Sequence, residues 1–148
     1  MVAADAYVNS EKPTWNYGSA TVLRVDASPE LLSYLRFNAS GLSGTVTRAT
    51  LRVYATGGSS AGYAVRDVSD DSWLEGAITY ATRPAASATV TGSSGAFAAG
   101  TWTTVDVTAL VSGNGAVSLA LTGPSSTAIA FASRETATAP QLIVETAP

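Results

Sequence analysis

Apolar and polar residues alternate along most of this chain. The clearest run covers residues 31–54. In its first half, Leu35 and Phe37 fall on one side, with Tyr34, Arg36 and Asn38 on the other. After a break containing Gly41 and Gly44, Leu51 and Val53 alternate with Arg52 and Tyr54. Period two is the signature of a strand, because successive side chains leave opposite faces of the pleat. The same alternation predicts strands over residues 4–9, 21–26, 31–38, 46–55, 63–68, 88–91, 100–107, 116–121, 127–133 and 142–145. Residues 108–111 fit one helical turn capped by Asp106 or Thr108. About ten short strands, broken by Gly, Ser and Pro turns every ~8–12 residues, describe a β-sandwich or barrel.

Composition agrees. Alanine, threonine, serine, valine and glycine dominate and only 13% of residues are charged, which suits a turn-rich all-β protein better than a helical bundle. At 148 residues, the expectation is one domain over residues 1–148, large enough to bury roughly 70% of its unfolded surface. The net charge is −3 and no basic run is present, so nucleic acid is not the expected partner. No apolar run approaches the ~20 residues of a membrane span. Strand-like sequence follows Met1 at once, so the absence of a signal peptide says little about location.

The chain has no histidine and no cysteine. That removes Ser/His/Asp and Cys/His nucleophilic sites and His-ligated zinc. Only carboxylates remain for acid–base work. Asp70, Asp71 and Glu75 are the one acidic cluster, and an enzyme built on Asp71 and Glu75 is the remote reading. Adjacent aspartates in a turn more often cap backbone N–H groups. The expectation is a protein that binds or builds and does not catalyse.

Seven arginines stand against a single lysine, Lys12. Arg24, Arg36, Arg52 and Arg66 lie mid-strand, opposite the aliphatic positions. An arginine placed so either pairs with a carboxylate or presents its planar fork to an acidic ligand, with tyrosine beside it. Trp15 and Tyr17 lie in a loop, where an aromatic ring has no evident core role and can dock on the apolar face of a sugar. Trp73 and Trp102 sit among strand-like residues and are expected in the core. Asp5 and Asn9, with carbonyls of neighbouring loops, are candidate oxygen ligands for a structural Ca²⁺.

Laid end to end, the motifs are Ala4-Asp5-Ala6-Tyr7-Val8, Asn16-Tyr17-Gly18-Ser19, Leu23-Arg24-Val25, Tyr34-Leu35-Arg36-Phe37, Ala49 to Tyr54, and Trp73-Leu74-Glu75 with Ile78-Thr79-Tyr80. Arg83-Pro84, Trp102 to Thr108, Phe131 to Glu135, and Pro140-Gln141-Leu142 follow. This order resembles the DNRLRE domain family, which overlaps the family 96 carbohydrate-binding modules. The resemblance implies a β-sandwich of jelly-roll type from a secreted protein, joined to a polysaccharide lyase or similar enzyme. It implies a polysaccharide ligand, with uronate-rich glycans such as alginate favoured, and structural calcium as in related jelly rolls. Carried over by position, Arg24, Arg36 and Arg134 are its candidate ligand contacts; from the residues themselves, Tyr34, Trp15 and Tyr17 are expected to supply aromatic or hydrogen-bonding surface. The rival reading is an extracellular spacer or adhesive module without a glycan ligand.

Overall fold

The computed structural model describes residues 2–148. It is all-β. The strands are β1 (Val2–Asn9), β2 (Val22–Ala27), β3 (Glu30–Ala39), β4 (Thr45–Ala55), β5 (Ala64–Val68), β6 (Val90–Ser93), β7 (Thr101–Asp106), β8 (Gly115–Thr122), β9 (Ile129–Ala132) and β10 (Gln141–Ala147). Each expected strand is present, with ends moved by no more than two residues. The turn after β7 is a single 3-10 turn, Thr108–Leu110. Asp106 Oδ1 accepts from the Thr108 N–H at 2.9 Å there.

Among the described residues every pairing is antiparallel, and the ten strands form one curled sheet that folds over itself as a β-sandwich of jelly-roll type. One layer holds β1, β3, β8, β5 and β6 in lateral order; the other holds β7, β4, β10, β9 and β2. β2 joins the layers. Its start pairs with β9 through Val22 to Val25, and its end pairs with β3 through Asp26 and Ala27. A strand that changes partner along its length turns the corner of the sandwich.

The aliphatic positions of the alternating pattern meet between the layers. Leu23, Val25, Leu35, Phe37, Leu51, Val53, Val65, Leu119, Leu121 and Phe131 are almost wholly buried there. Tyr63 joins them, its ring edge-on to Phe131 at 5.0 Å. Its hydroxyl shares a hydrogen bond with Thr103 Oγ1 at 2.6 Å. A buried phenol needs such a partner.

A second, smaller core lies outside the first layer. Ala4, Ala6, Val8, Leu32, Tyr34, Val68 and Ala120 point away from the sandwich interior and are covered by Trp73 and Ile78. The 69–89 segment therefore lies across that face of the sheet as an irregular strap. This strap decides which of the expected ligand contacts remain accessible.

Candidate functional site

The strap takes up the outer face of the first layer. Arg36 lies with its guanidinium 4.8 Å from the Trp73 ring centre. It donates to the backbone carbonyls of Trp73 and Asp71. Tyr34 is 1% exposed, meets Trp73 edge-on and donates its hydroxyl to the Pro84 carbonyl at 3.1 Å. Burial pushes that phenol up to about 12. Of these two expected ligand contacts, Tyr34 is buried beneath the strap and the half-buried Arg36 is fastened to the strap's carbonyls. Arg66 is fastened likewise, donating to the carbonyls of Ser87 and Ala88. Arg83 donates to the Tyr80 carbonyl and lies 3.7 Å over the Tyr80 ring. A depression of about 670 Å³ beside the strap is lined by Glu30, Tyr34, Arg66 and Arg83.

The expectation that mid-strand arginines pair with carboxylates or face a ligand thus needs a third case. Several are fastened to backbone carbonyls. The strap has no ladder of its own, so its carbonyls need donors from elsewhere, and a guanidinium with five N–H groups supplies several at once.

The loop between β1 and β2 is different. Trp15 is 54% exposed. Its ring lies 6.2 Å from that of Tyr17, and Tyr17 stacks on Tyr7 with ring centres 4.3 Å apart and planes 17° off parallel. Lys12 Nζ sits 4.9 Å from the Trp15 ring, and the Arg24 guanidinium 5.9 Å from that of Tyr7. Arg24, on β2, is exposed. The three rings run inward from exposed Trp15 through half-buried Tyr17 to buried Tyr7, with Lys12 beside the outer ring and Arg24 beside the inner, and Trp15 with Tyr17 makes a ledge at the surface.

The ledge is held from below. Asn16 donates through Nδ2 to the carbonyls of Glu75 and Ile78, both at 2.8 Å. Its Oδ1 accepts from the Gly18 N–H. Gly18 packs so closely that a Cβ there would meet the Glu75 carbonyl. Glycine is the residue that lets backbones approach this way.

Below the ledge, three carboxylates converge. One oxygen each of Asp5, Glu75 and Glu135 lies within 4.8 Å of the others. Glu75 pairs with Arg134 at 2.9 Å and also accepts from the Asp5 N–H at 3.0 Å. Asp5 is 1% exposed. Its Oδ2 accepts from the Arg134 N–H at 2.8 Å, whereas Oδ1 has no hydrogen-bond partner among the described residues. Burial pushes the Asp5 carboxyl up to about 7; the Arg134 N–H opposes this and the Glu75 charge adds to it. Arg134, expected to face ligand, is engaged in this cluster.

Asn9 is not. It stands four residues beyond Asp5 on β1, roughly 13 Å along the strand, and its Oδ1 accepts from the Glu11 N–H at 2.9 Å. Asp5 therefore groups with Glu75 and Glu135, and Asn9 stands apart from them. Their chain separation hid this grouping from sequence reasoning. Asp70 behaves as a turn cap, accepting from the Ser72 N–H at 2.8 Å. The Ser72 hydroxyl and N–H hold its carboxyl below the usual range.

Trp102 lies on the outer face of the second layer, half-exposed, and not in the core. Tyr54 meets it edge-on at 5.4 Å. The Arg52 guanidinium covers it at 4.5 Å and donates to Gln141 Oε1 at 2.7 Å. Alternation carried the signal: Trp102 shares a face with exposed Thr104 and Asp106, opposite buried Thr103 and Val105.

Two comparisons bear on this arrangement. The model of carbohydrate-binding module family 96 matches residues 1–146. No curated protein matches the chain.

Proposed function

The chain belongs to carbohydrate-binding module family 96, and from that premise we propose that its glycan seat is the ledge of Trp15, Tyr17, Lys12 and Arg24. The observation that carries this reading is the exposed Trp15 ring beside Tyr17, which is itself backed by Tyr7, with Lys12 next to Trp15 and Arg24 next to Tyr7. Pyranose rings present apolar C–H faces that dock on aromatic planes. Lys12 and Arg24 would meet carboxylates or hydroxyls beside those rings, with the arginine fork suited to bidentate contact. A uronate-containing polysaccharide such as alginate is the ligand class this supports. The ledge is shallow and wet, so affinity is modest; little surplus remains after ordering costs.

The module would act by binding alone. It would tether an attached glycan-degrading enzyme to its substrate, in an extracellular setting. The Trp102, Tyr54 and Arg52 face is a second, half-exposed set of rings, so the test must separate the two surfaces.

Calorimetry of the full chain against alginate, pectin, xylan and cellulose is that test. Binding to alginate or pectin is expected, abolished or much weakened in Trp15→Ala and retained in Trp102→Ala. The reverse pattern moves the seat to the second layer. No heat with any glycan overturns the reading and leaves a spacer module, with its arginines fastened internally.

A further inference from the structure

We propose that Asp5, Glu75 and Glu135 form a divalent-cation site of calcium type that ties three separate segments together beneath the aromatic ledge. It stands on the carboxylate geometry and does not depend on the glycan reading.

Two independent observations carry it. The first is convergence. Asp5 comes from β1, Glu75 from the strap and Glu135 from the turn after β9, yet an oxygen of each lies within 4.8 Å of the others. The second is an unsatisfied acceptor. Asp5 Oδ1 is enclosed and meets no donor among the described residues, although a buried acceptor left unpaired is costly. Arg134 answers part of this negative charge through Glu75. With all three carboxylates ionised, one guanidinium leaves two formal negative charges, which a divalent ion would neutralise.

The donor set selects the class of ion. It is all oxygen, and the chain offers no histidine or cysteine to softer metals. Calcium accepts about 6–8 oxygens in irregular geometry, mixing carboxylates with carbonyls and water, whereas magnesium demands a near-ideal octahedron. Ligands from three loosely related segments fit the former.

The placement gives the ion a structural consequence. Glu75 sits in the turn whose carbonyl receives Asn16 and against which Gly18 packs. An ion holding Glu75 to β1 would thereby fix the floor on which the Trp15 and Tyr17 loop rests.

The test uses the full chain, freed of metal with EGTA and titrated with CaCl2 or MgCl2 with no glycan present. The expected result is a single calcium site by calorimetry. Tm should rise by roughly 5–10 °C at a calcium concentration about 100-fold above Kd, with a much weaker response to magnesium. Glu135→Gln alters an exposed side chain, and Asp5→Asn keeps an acceptor for the Arg134 N–H. Each should lower calcium affinity at least ~10-fold, as loss of a charged ligand does. Absence of heat and of any Tm shift in the unmodified chain overturns the proposal. So does calcium binding of unchanged affinity in both variants. Because no sugar is present, a failed glycan titration leaves this result intact.

Discussion

Trp15 and Arg24 are the residues on which ligand affinity should turn. Both side chains are exposed, so substitution should leave the fold intact, within about 0.5 kcal/mol. Trp15→Ala is expected to weaken glycan binding roughly 5- to 30-fold, about 1–2 kcal/mol, with Tm unchanged. Tyr63 and Tyr34 behave differently. Burial pushes both phenols up to about 12, from 10 in the unfolded chain. Between those values the unfolded state has lost these protons and the folded state keeps them. Stability is therefore whole below about pH 10 and falls as pH rises toward 12, by about 1.4 kcal/mol per pH unit for each such tyrosine. Urea titrations at successive pH values should show this slope, and Tyr63→Phe should reduce it. A slope unaffected by that substitution would mean that Tyr63 ionises freely in the folded state.

Among elements, the 69–89 strap is the part whose integrity depends on single contacts. It lacks ladder hydrogen bonds and hangs on Trp73, Ile78 and the guanidinium groups of Arg36 and Arg66. Trp73→Ala should cost about 3–5 kcal/mol and make the strap an early site of limited proteolysis. Arg36→Met keeps the stem but leaves the Trp73 carbonyl without its charged donor, at a cost of about 1–3 kcal/mol. The same variant should bind glycan normally, because Arg36 faces the strap; a loss of glycan affinity at unchanged stability would return Arg36 to the ligand site. The β1–β2 loop has a comparable dependence at Gly18. Gly18→Ala sets a methyl against the Glu75 carbonyl and should destabilise the chain by roughly 1–3 kcal/mol, with weaker glycan binding as Tyr17 is displaced.

At the scale of the whole molecule, the net charge of −3 would repel a polyanion at long range. Binding to a uronate must then rely on the local cations Lys12 and Arg24. Raising NaCl from about 0.05 to 0.5 M screens exposed pairs. It should weaken alginate binding several-fold and leave a neutral glycan almost untouched. Equal salt dependence for both would show that the charges at the ledge take no part. No helix among the described residues is long and apolar enough to cross a membrane.

Much of this was legible along the chain. Alternation at Leu35/Phe37 and Leu51/Val53 determined the strands and their buried sides, because a side chain's face depends only on its position in a two-residue repeat. The same parity had already set Trp102 beside Thr104 and Asp106, although its ring invited a core reading. The ordered motifs carried the family, and the loop position of Trp15 marked it as an exposed ring, whereas Tyr17 stacks on buried Tyr7. Alternation, however, says nothing about what covers a face from outside. Whether Arg36 and Tyr34 met solvent depended on where an aperiodic strap, 35 or more residues away in the chain, came to rest. Whether Asp5 faced Asn9 or Glu75 and Glu135 depended on long-range packing that joins β1, the strap and the turn after β9. Those are contacts between distant segments, and only the closed sandwich brings them together.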